Sequence, residues 1–288
     1  MHPVVNFIYF ALVLTFAMWF THPLFLLVSL ICAFAYSIYL RGGQAVRVDF
    51  LCLVPLIIIT ALINPAFSHQ GVTVLTYLPS GNTLTLESIL YGLASGIMLA
   101  AVIGWFSCLN RQLTSDKFVY LFGRIIPALS LVLSMTLRFV PAFNRQIKSI
   151  SRARKGLDCS GRESFGTRIR GGLGVLSAAV GWAMENAVET ADSMKSRGYG
   201  LEGRTAYSIY RFDRRSVNTL ILLLLCGGFV LACNLSGALD WRYYPSLRGA
   251  LSPLTWAAGA AYALLCLLPL ILDAAADARW RALRARTE

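Results

Sequence analysis

The chain has 288 residues, of which 57% are hydrophobic and only 14% are charged, and it carries a formal net charge of +12. Its mean hydropathy of +0.62 excludes an ordinary soluble domain, and several uncharged runs are long enough to cross a bilayer. The basic excess alone is compatible with nucleic-acid binding, but no aromatic-basic recognition module is present, and basic loops facing an anionic leaflet explain the charge. The composition therefore predicts an all-α, polytopic helical membrane protein with no nucleic-acid partner.

Four spans are predicted in residues 1–117, a region of N-terminal transmembrane helices. They are 4–20, 24–40, 48–63 and 88–109. The first two are each just long enough to cross, and Thr21-His22-Pro23 between them predicts a tight hairpin, either crossing or re-entrant. No charged leader precedes the first run, so we expect it to be retained. The stretch 64–85 has no charged residue, which places it outside the cell.

A C-terminal transmembrane hairpin and a basic tail are predicted in residues 216–288, with spans at 217–235 and 251–272. Four arginines place the C-terminus in the cytosol: Arg279, Arg281, Arg284 and Arg286. Six spans with both termini cytosolic satisfy this pattern. Arg242 and Arg248 count against it, because they lie in a loop that this topology places outside.

Residues 118–215 are predicted to form an interfacial and cytosolic coupling domain. The stretch 118–137 is apolar but contains Arg124 and Pro127, and both of its flanks look cytosolic, so we expect it to lie along the membrane interface or to dip into it. The stretch 138–215 has 15 basic and 7 acidic side chains, which is +8 of the total charge of +12. This concentration of charge indicates a single cytosolic unit.

Two amphipathic helices are predicted in this domain. In the first, basic residues recur at helical spacing along one side: Arg138, Arg145, Lys148, Arg152 and Lys155. The opposite side is apolar: Val140, Phe143, Ile147 and Ile150. Arg154 continues the apolar side, four residues after Ile150, and Gly156 is predicted to stop the helix.

The second helix has an apolar stripe that advances by three or four residues. Its members are Leu173, Leu176, Val180, Ala183, Ala187, Ala191 and Met194. Alanines in this stripe favour close crossing by another helix. Arg197 follows Met194 by three residues, and Gly198 is predicted to end the helix.

Both helices thus end with a cation and then a glycine, for which there are two interpretations. Cations near a helix C-terminus are favoured by roughly 0.3–1 kcal/mol through the helix dipole, and glycine is the usual stop. Alternatively, each arginine extends beyond its helix as a planar, permanent charge that suits carboxylates or carbonyls at the rim of a partner's groove. For either helix alone the two interpretations are equally good.

Several segments resemble the transmembrane T component of energy-coupling-factor importers, and the resemblance extends over nearly the whole chain. They are Asn64-Pro65, Tyr91-Gly92-Leu93, Leu137 to Pro141, Ala153 to Gly156, and Ala191 to Gly200 with Arg204-Thr205 after it. The most specific is Ser193 to Gly200, which is close to the second Ala-Arg-Gly signature of the family. In that family the two signatures end two crossed coupling helices, which dock in grooves of a pair of ATPases, while the membrane part holds a substrate-binding S component.

The resemblance implies a non-catalytic coupling subunit in the bacterial inner membrane, without a cofactor, that serves uptake of a vitamin or a transition-metal ion. Its implied partners are two ABC-type ATPase subunits, an S component and the lipid membrane. Its implied coupling residues are Ala153, Arg154, Lys155 and Gly156 in the first helix and Ser196, Arg197 and Gly198 in the second.

The sequence departs from the family signature at two positions. Ser196 replaces the second alanine of the signature. Because Lys155 stands directly before the glycine, either it or Arg154 takes the place of the first arginine, and the helical phase favours Arg154.

Two further features have alternative interpretations. Gly92 and Gly96 form a G-x-x-x-G pair, which indicates either close helix packing or a docking face for the S component. Asp273 and Asp277 suggest a membrane-embedded enzyme that acts on an anionic lipid or a diphosphate, but a second acidic cluster is missing, and placement opposite Arg279 and Arg281 is the simpler expectation.

Other functional classes receive little support. Glu185 and Glu189 are one helical turn apart, but the histidines are remote, so we expect neither a metal site nor catalytic residues. A stand-alone channel or carrier is a third alternative, yet the spans contain almost no ionisable residue at mid-membrane through which ions could pass.

Overall fold

A computed structural model describes residues 2–68, 71–77, 83–123, 126–157, 165–199, 201, 210, 212–249 and 252–285. The described residues form these helices: α1 Pro3–Trp19, α2 Pro23–Arg41, α3 Gly43–Phe67, α4 Leu86–Gln112, α5 Ser115–Gly123, α6 Pro127–Leu157, α7 Phe165–Ser196, α8 Arg214–Leu235 and α9 Pro253–Arg284. They also form two antiparallel hairpins: β1 Val74–Tyr77 with β2 Thr83–Thr85, and β3 Trp241–Arg242 with β4 Arg248–Gly249. The protein is therefore all-α and polytopic, and in the residues listed above β structure is confined to two loops.

Five of the described helices, rather than the predicted six, are long and apolar enough to cross a membrane. They are α2, the 49–67 part of α3, α4, α8 and α9. The remaining apolar helix, α1, has 17 residues, so it is about 25 Å long and shorter than a hydrocarbon core of about 30 Å. The sequence prediction counted α1 as a span because it considered only the length of each apolar run, and the run in α1 just reaches the minimum length.

The chain divides into two units, which are described separately. Unit 1 comprises Met1–Thr114 with Arg211–Glu288, and unit 2 comprises Ser115–Tyr210. All five candidate spans and α1 belong to unit 1, whereas α5, α6 and α7 form unit 2.

The core of unit 1 surrounds Trp105 of α4, whose side chain is completely buried. Its indole nitrogen donates a hydrogen bond to the Ser29 hydroxyl of α2 at 3.0 Å. Tyr9 and Phe10 of α1 meet the indole edge-on, with ring centroids 6.1 and 6.5 Å away. An indole N–H buried in a membrane protein needs an acceptor, so this bond fixes α2 against α4 where α1 covers them both.

Two glycines bring α4 into close contact with α3. A Cβ atom on Gly92 would lie 3.1 Å from the Ala61 Cα atom, and one on Gly96 would lie 3.1 Å from the Ile57 Cα atom and overlap the Thr60 hydroxyl. Both glycines are therefore occupied by packing inside unit 1. The outward side of α3 stays apolar and exposed, as expected for a side that contacts lipid.

At one end of unit 1, the loop between α8 and α9 contacts the turn between α1 and α2. Tyr243 donates a hydrogen bond to the Thr21 carbonyl at 2.9 Å, and Trp241 packs edge-on against His22 with ring centroids 5.0 Å apart. The Nδ1 atom of His22 accepts a hydrogen bond from the Leu24 amide at 3.2 Å. Burial lowers the pKa of His22, so the imidazole stays neutral at pH 7 and can cap α2 in this way.

The connection between α3 and α4 belongs to the same end. The Glu87 carboxylate accepts hydrogen bonds from the Thr73 amide at 3.2 and 3.3 Å, and Ser88 donates to the Ser68 carbonyl at 2.7 Å. Tyr91 packs against Tyr243 of the α8–α9 loop with ring centroids 5.6 Å apart. Three interhelical connections therefore meet at this end of unit 1, which we call the loop end.

The opposite end of unit 1 is tied together by polar side chains from three spans. Tyr36 of α2 donates to Asp273 of α9 at 3.3 Å, and Gln112 of α4 donates to both of them at 2.8 and 3.2 Å. One turn further along each helix, Tyr39 donates to Asp277 at 2.5 Å. The two aspartates thus bind tyrosines of α2, whereas the sequence placed them opposite Arg279 and Arg281.

The turn between α2 and α3 lies at this second end too. Asp49 accepts a hydrogen bond from Ser37 at 2.5 Å and lies 3.8 Å from the Arg41 guanidinium, which in turn donates to the Ser107 carbonyl at 3.2 Å. We call this the basic end, because the helix termini there carry most of the arginines of unit 1: Arg41, Arg47, Arg111, Arg214, Arg215, Arg279, Arg281 and Arg284.

Unit 2 differs from the sequence prediction in where its first long helix begins. The stretch 118–137 was expected to be separate from a helix starting at Arg138, but α6 starts at Pro127 and continues through Pro141. Proline is favoured in the first helical turn, where its missing N–H has no partner to lose. The apolar stretch is thus divided between α5 and α6, which pack together through a hydrogen bond from Ser130 to the Val119 carbonyl at 3.2 Å.

Candidate functional site

Helices α6 and α7 lie side by side and run in opposite directions within unit 2. The Trp182 ring of α7 contacts Phe139 and Phe143 of α6, with ring centroids 5.6 and 6.4 Å apart. Further along, the Arg154 guanidinium lies directly over Gly171, where a Cβ atom would overlap it. The two contacts are about eleven residues apart on each helix, so the helices remain adjacent over about 16 Å.

The side of α6 that faces α7 is the predicted apolar side. Phe143, Ile147 and Ile150 are half-buried there, and Arg154 continues the same side. Val140 departs from the prediction, because it is 63% exposed. The predicted basic side is exposed along its length: Arg138, Arg145, Lys148, Arg152 and Lys155.

On α7, the side that contacts α6 differs from the predicted apolar stripe. Gly171 and Ala179 are buried there, with Val175 half-buried between them. Most of the stripe is exposed: Leu173, Leu176, Val180, Ala187 and Ala191, with Ala183 and Met194 half-buried. Glycine and alanine let α6 approach most closely, so packing follows the smallest side chains rather than the most apolar ones. A glycine within the helix, Gly171, was the sequence feature that could have indicated this.

At the end of α6, the two candidate cations have different surroundings. Arg154 is half-buried with its guanidinium against α7, whereas Lys155 is exposed. Their neighbours Ala153 and Gly156 are exposed as well. The prediction that Gly156 stops the helix is wrong, because α6 continues through it to Leu157 and the glycine does not adopt a positive φ.

The end of α7 is formed as the sequence predicts. Gly198 has a φ of 71°, in the left-handed region that glycine adopts without strain. Its amide donates to the Lys195 carbonyl at 3.0 Å, and the Tyr199 amide donates to the Met194 carbonyl at 3.1 Å. This pair of bonds is a Schellman motif, which satisfies the last carbonyl groups of the helix and turns the chain sharply.

Arg197 is the capping residue between the helix and this turn, and its side chain is exposed. The preceding Ser196 is also exposed, and its hydroxyl donates to the Ser193 carbonyl at 2.8 Å. Serine in place of alanine is therefore accommodated by a local hydrogen bond. Gly200, Arg204 and Thr205, which belong to the same resembling segment, lie outside the described residues.

The two helix ends are far apart. Arg154 lies beside Gly171 near the start of α7, whereas Arg197 directly follows its last residue. The 26 residues between Gly171 and Arg197 correspond to about 39 Å of helix. The cations at the two ends therefore point to two separate contact regions.

The acidic residues considered for catalysis or metal binding lie in two separate places, Asp273 and Asp277 in unit 1 and Glu185 and Glu189 in unit 2. Asp273 and Asp277 accept hydrogen bonds from the tyrosines of α2 described above, and Glu185 and Glu189 are exposed on α7. Over the part of the chain that the structure describes, no group of three His, Cys, Asp or Glu side chains is arranged to hold a metal ion.

Comparison with known proteins gives consistent similarities. A family model described as "Cobalt transport protein" (CbiQ) matches residues 3–207. The chain is 25% identical over 227 residues to the Energy-coupling factor transporter transmembrane protein EcfT of Bacillus selenitireducens, which covers 75% of this chain and 84% of that protein. It is 29% identical over 246 residues to a protein of the same name from Listeria innocua, with 79% and 83% covered. The family match includes both helix ends.

Proposed function

We propose, because the chain belongs to the cobalt transport protein family CbiQ, that it is the transmembrane coupling subunit of an energy-coupling-factor importer, as its relatives are named. Two ATPase subunits would bind its cytosolic helix ends, and a separate membrane subunit would bind the cargo, a vitamin or a transition-metal ion. The subunit itself would be non-catalytic.

One observation carries this proposal: the cationic ends of α6 and α7 lie about 39 Å apart along the pair. Antiparallel packing sends the two C-terminal ends in opposite directions, so a single groove cannot hold both. Two grooves, one on each of two similar ATPases, match this separation. The exposed cation at each end, Lys155 or Arg197, would meet carboxylates or carbonyls at the groove rim.

The distribution of charge in unit 1 supports a cytosolic position for the basic end. Among the described arginines of unit 1, eight lie at the basic end and two, Arg242 and Arg248, at the loop end. Basic residues favour the cytosolic side. Both chain connections to unit 2 leave from the basic end, after Gln112 of α4 and before Arg214 of α8. The start of α1 lies at the basic end as well, because His2 packs against Phe212, just before α8, with ring centroids 4.4 Å apart. Both termini and the coupling helices would then be cytosolic.

We expect Lys155 and Arg154 to contribute differently. Lys155→Ala should weaken ATPase binding roughly tenfold without changing the thermal stability of the subunit, because the exposed ammonium would contact the partner directly. Arg154→Ala should lower the melting temperature as well, because the guanidinium is packed between the two helices. Binding titrations and melting curves on the purified variants separate the two roles. Equal stability with a larger binding loss for Arg154→Ala would assign the direct contact to Arg154 instead.

Purification of the tagged full chain from its native membrane tests the function as a whole. We expect two ATP-binding subunits and a small membrane protein to co-purify, and ATP hydrolysis to depend on the ATPases. Magnesium-dependent turnover of an anionic lipid or diphosphate by the isolated chain would establish the enzyme alternative. Ion or solute flux through the chain alone in vesicles would establish a channel or carrier.

A further inference from the structure

We propose that the exposed basic side of α6 binds the headgroups of anionic phospholipids. This surface, the α6 basic side, consists of Arg138, Arg145, Lys148 and Arg152. The proposal concerns the side of the helix rather than its end, and it requires only that the chain is a membrane protein.

The charge of α6 is not balanced by its own sequence or by its neighbour. The 31 residues of α6 contain six basic and no acidic side chains. The acidic residues of α7, which begin at Glu185, follow Trp182 and so lie beside the N-terminal half of α6. The part of α7 beside Lys148 and Arg152, residues 172–177, has no charged side chain, and Arg168 and Arg170 lie beside the end of α6. Within the described residues, no acidic side chain of α6 or α7 therefore lies opposite Lys148 or Arg152.

The basic side is also turned away from the contact with α7. At 100° per residue, Lys148 and Arg152 lie on roughly the opposite side of α6 from Phe143 and Arg154, which touch α7. The long basic side chains can thus contact a ligand along about three turns of the helix. Packing within unit 2 leaves them exposed.

Exposed apolar residues precede the basic side on the same helix and overlap its start, which favours lipid as the occupant. Leu131, Val132, Leu137 and Val140 are 41%, 56%, 39% and 63% exposed. A helix that combines exposed apolar residues with a basic side is typical of the membrane interface, where the apolar part enters the headgroup boundary and the cations meet lipid phosphates. In addition, only Leu113 and Thr114 separate α4, a candidate span, from α5, so the chain enters unit 2 directly from a candidate span.

Native mass spectrometry of the purified full chain in detergent, with equal amounts of phosphatidylglycerol and phosphatidylcholine, tests this proposal. The wild type should retain phosphatidylglycerol in preference, and Lys148→Gln/Arg152→Gln should reduce that preference roughly 25-fold, since each cation near an anionic surface contributes about fivefold. Arg138→Gln/Arg145→Gln provides a second test if the first variant is unstable. Arg242→Gln/Arg248→Gln, which removes two exposed cations at the loop end, is the matched control.

The outcomes are distinct. A loss in both α6 variants with an unchanged control supports the proposal. An unchanged preference in both α6 variants, or an equal loss in the control, overturns it, and the basic side would then be assigned to an acidic protein partner. Displacement of the lipid by inorganic phosphate at the same concentration would also overturn it, because the ligand would be a free phosphate.

Discussion

Replacing Arg197 with glutamate is expected to weaken ATPase binding about 30-fold or more and to reduce substrate uptake by a similar factor. Arg197 is exposed and directly precedes a Schellman turn, whose hydrogen bonds fix its backbone at the end of α7. Removing one partner of a desolvated charge pair costs about 2–5 kcal/mol, and reversing the charge adds repulsion. Co-purification of the ATPases and uptake in vesicles measure the two effects.

Lys195→Glu is the matched control for this charge reversal. Lys195 is exposed and two residues earlier, so it points to a different side of the same helix end. We expect it to retain at least half of the ATPase binding. If Arg197→Glu left both binding and uptake unchanged, or if Lys195→Glu were equally damaging, the assignment of Arg197 as a specific contact would fail.

Replacing Gly96 with leucine is expected to separate α3 from α4 and to destabilise unit 1 by roughly 1–3 kcal/mol or more. Even a Cβ atom at this position would lie 3.1 Å from the Ile57 Cα atom and 3.2 Å from its carbonyl oxygen. Backbone atoms cannot move aside as a flexible side chain can, so the helices must part. A lower melting temperature and a lower yield of folded protein would report the change.

Gly228→Leu supplies a comparison in another span. A Cβ atom on Gly228 of α8 would meet no atom within 4 Å, so a leucine should be accommodated with little change in melting temperature. Equal melting temperatures for the two leucine variants would contradict the close approach of α3 and α4 through Gly96.

The sequence predicts the spans and the end of α7 well, because both depend on local features. Apolar length defines α2, α4, α8 and α9 almost without reference to the rest of the chain. The turn after Arg197 depends on a single glycine that can adopt a positive φ. The family match, which extends over residues 3–207, includes this turn.

The packing of α6 on α7 was less predictable, because periodicity identifies an apolar side but not its partner. The apolar stripe of α7 has a regular period, yet α6 packs beside Gly171 and Ala179, where side chains are smallest. The sequence likewise did not connect Asp273 and Asp277 with Tyr36 and Tyr39, which lie more than 230 residues away. Such contacts depend on which spans are neighbours, and no single span encodes that information.

The two points of contact between α6 and α7 determine how the pair responds to force. Two helices that touch at a single point can change their crossing angle freely. In this pair, however, the aromatic contact at Trp182 and the arginine contact at Gly171 lie about 16 Å apart. Changing the angle between the helices would require one of these contacts to break. We therefore expect the pair to move as one rigid element, so that a displacement applied at one end reaches the other, about 39 Å away.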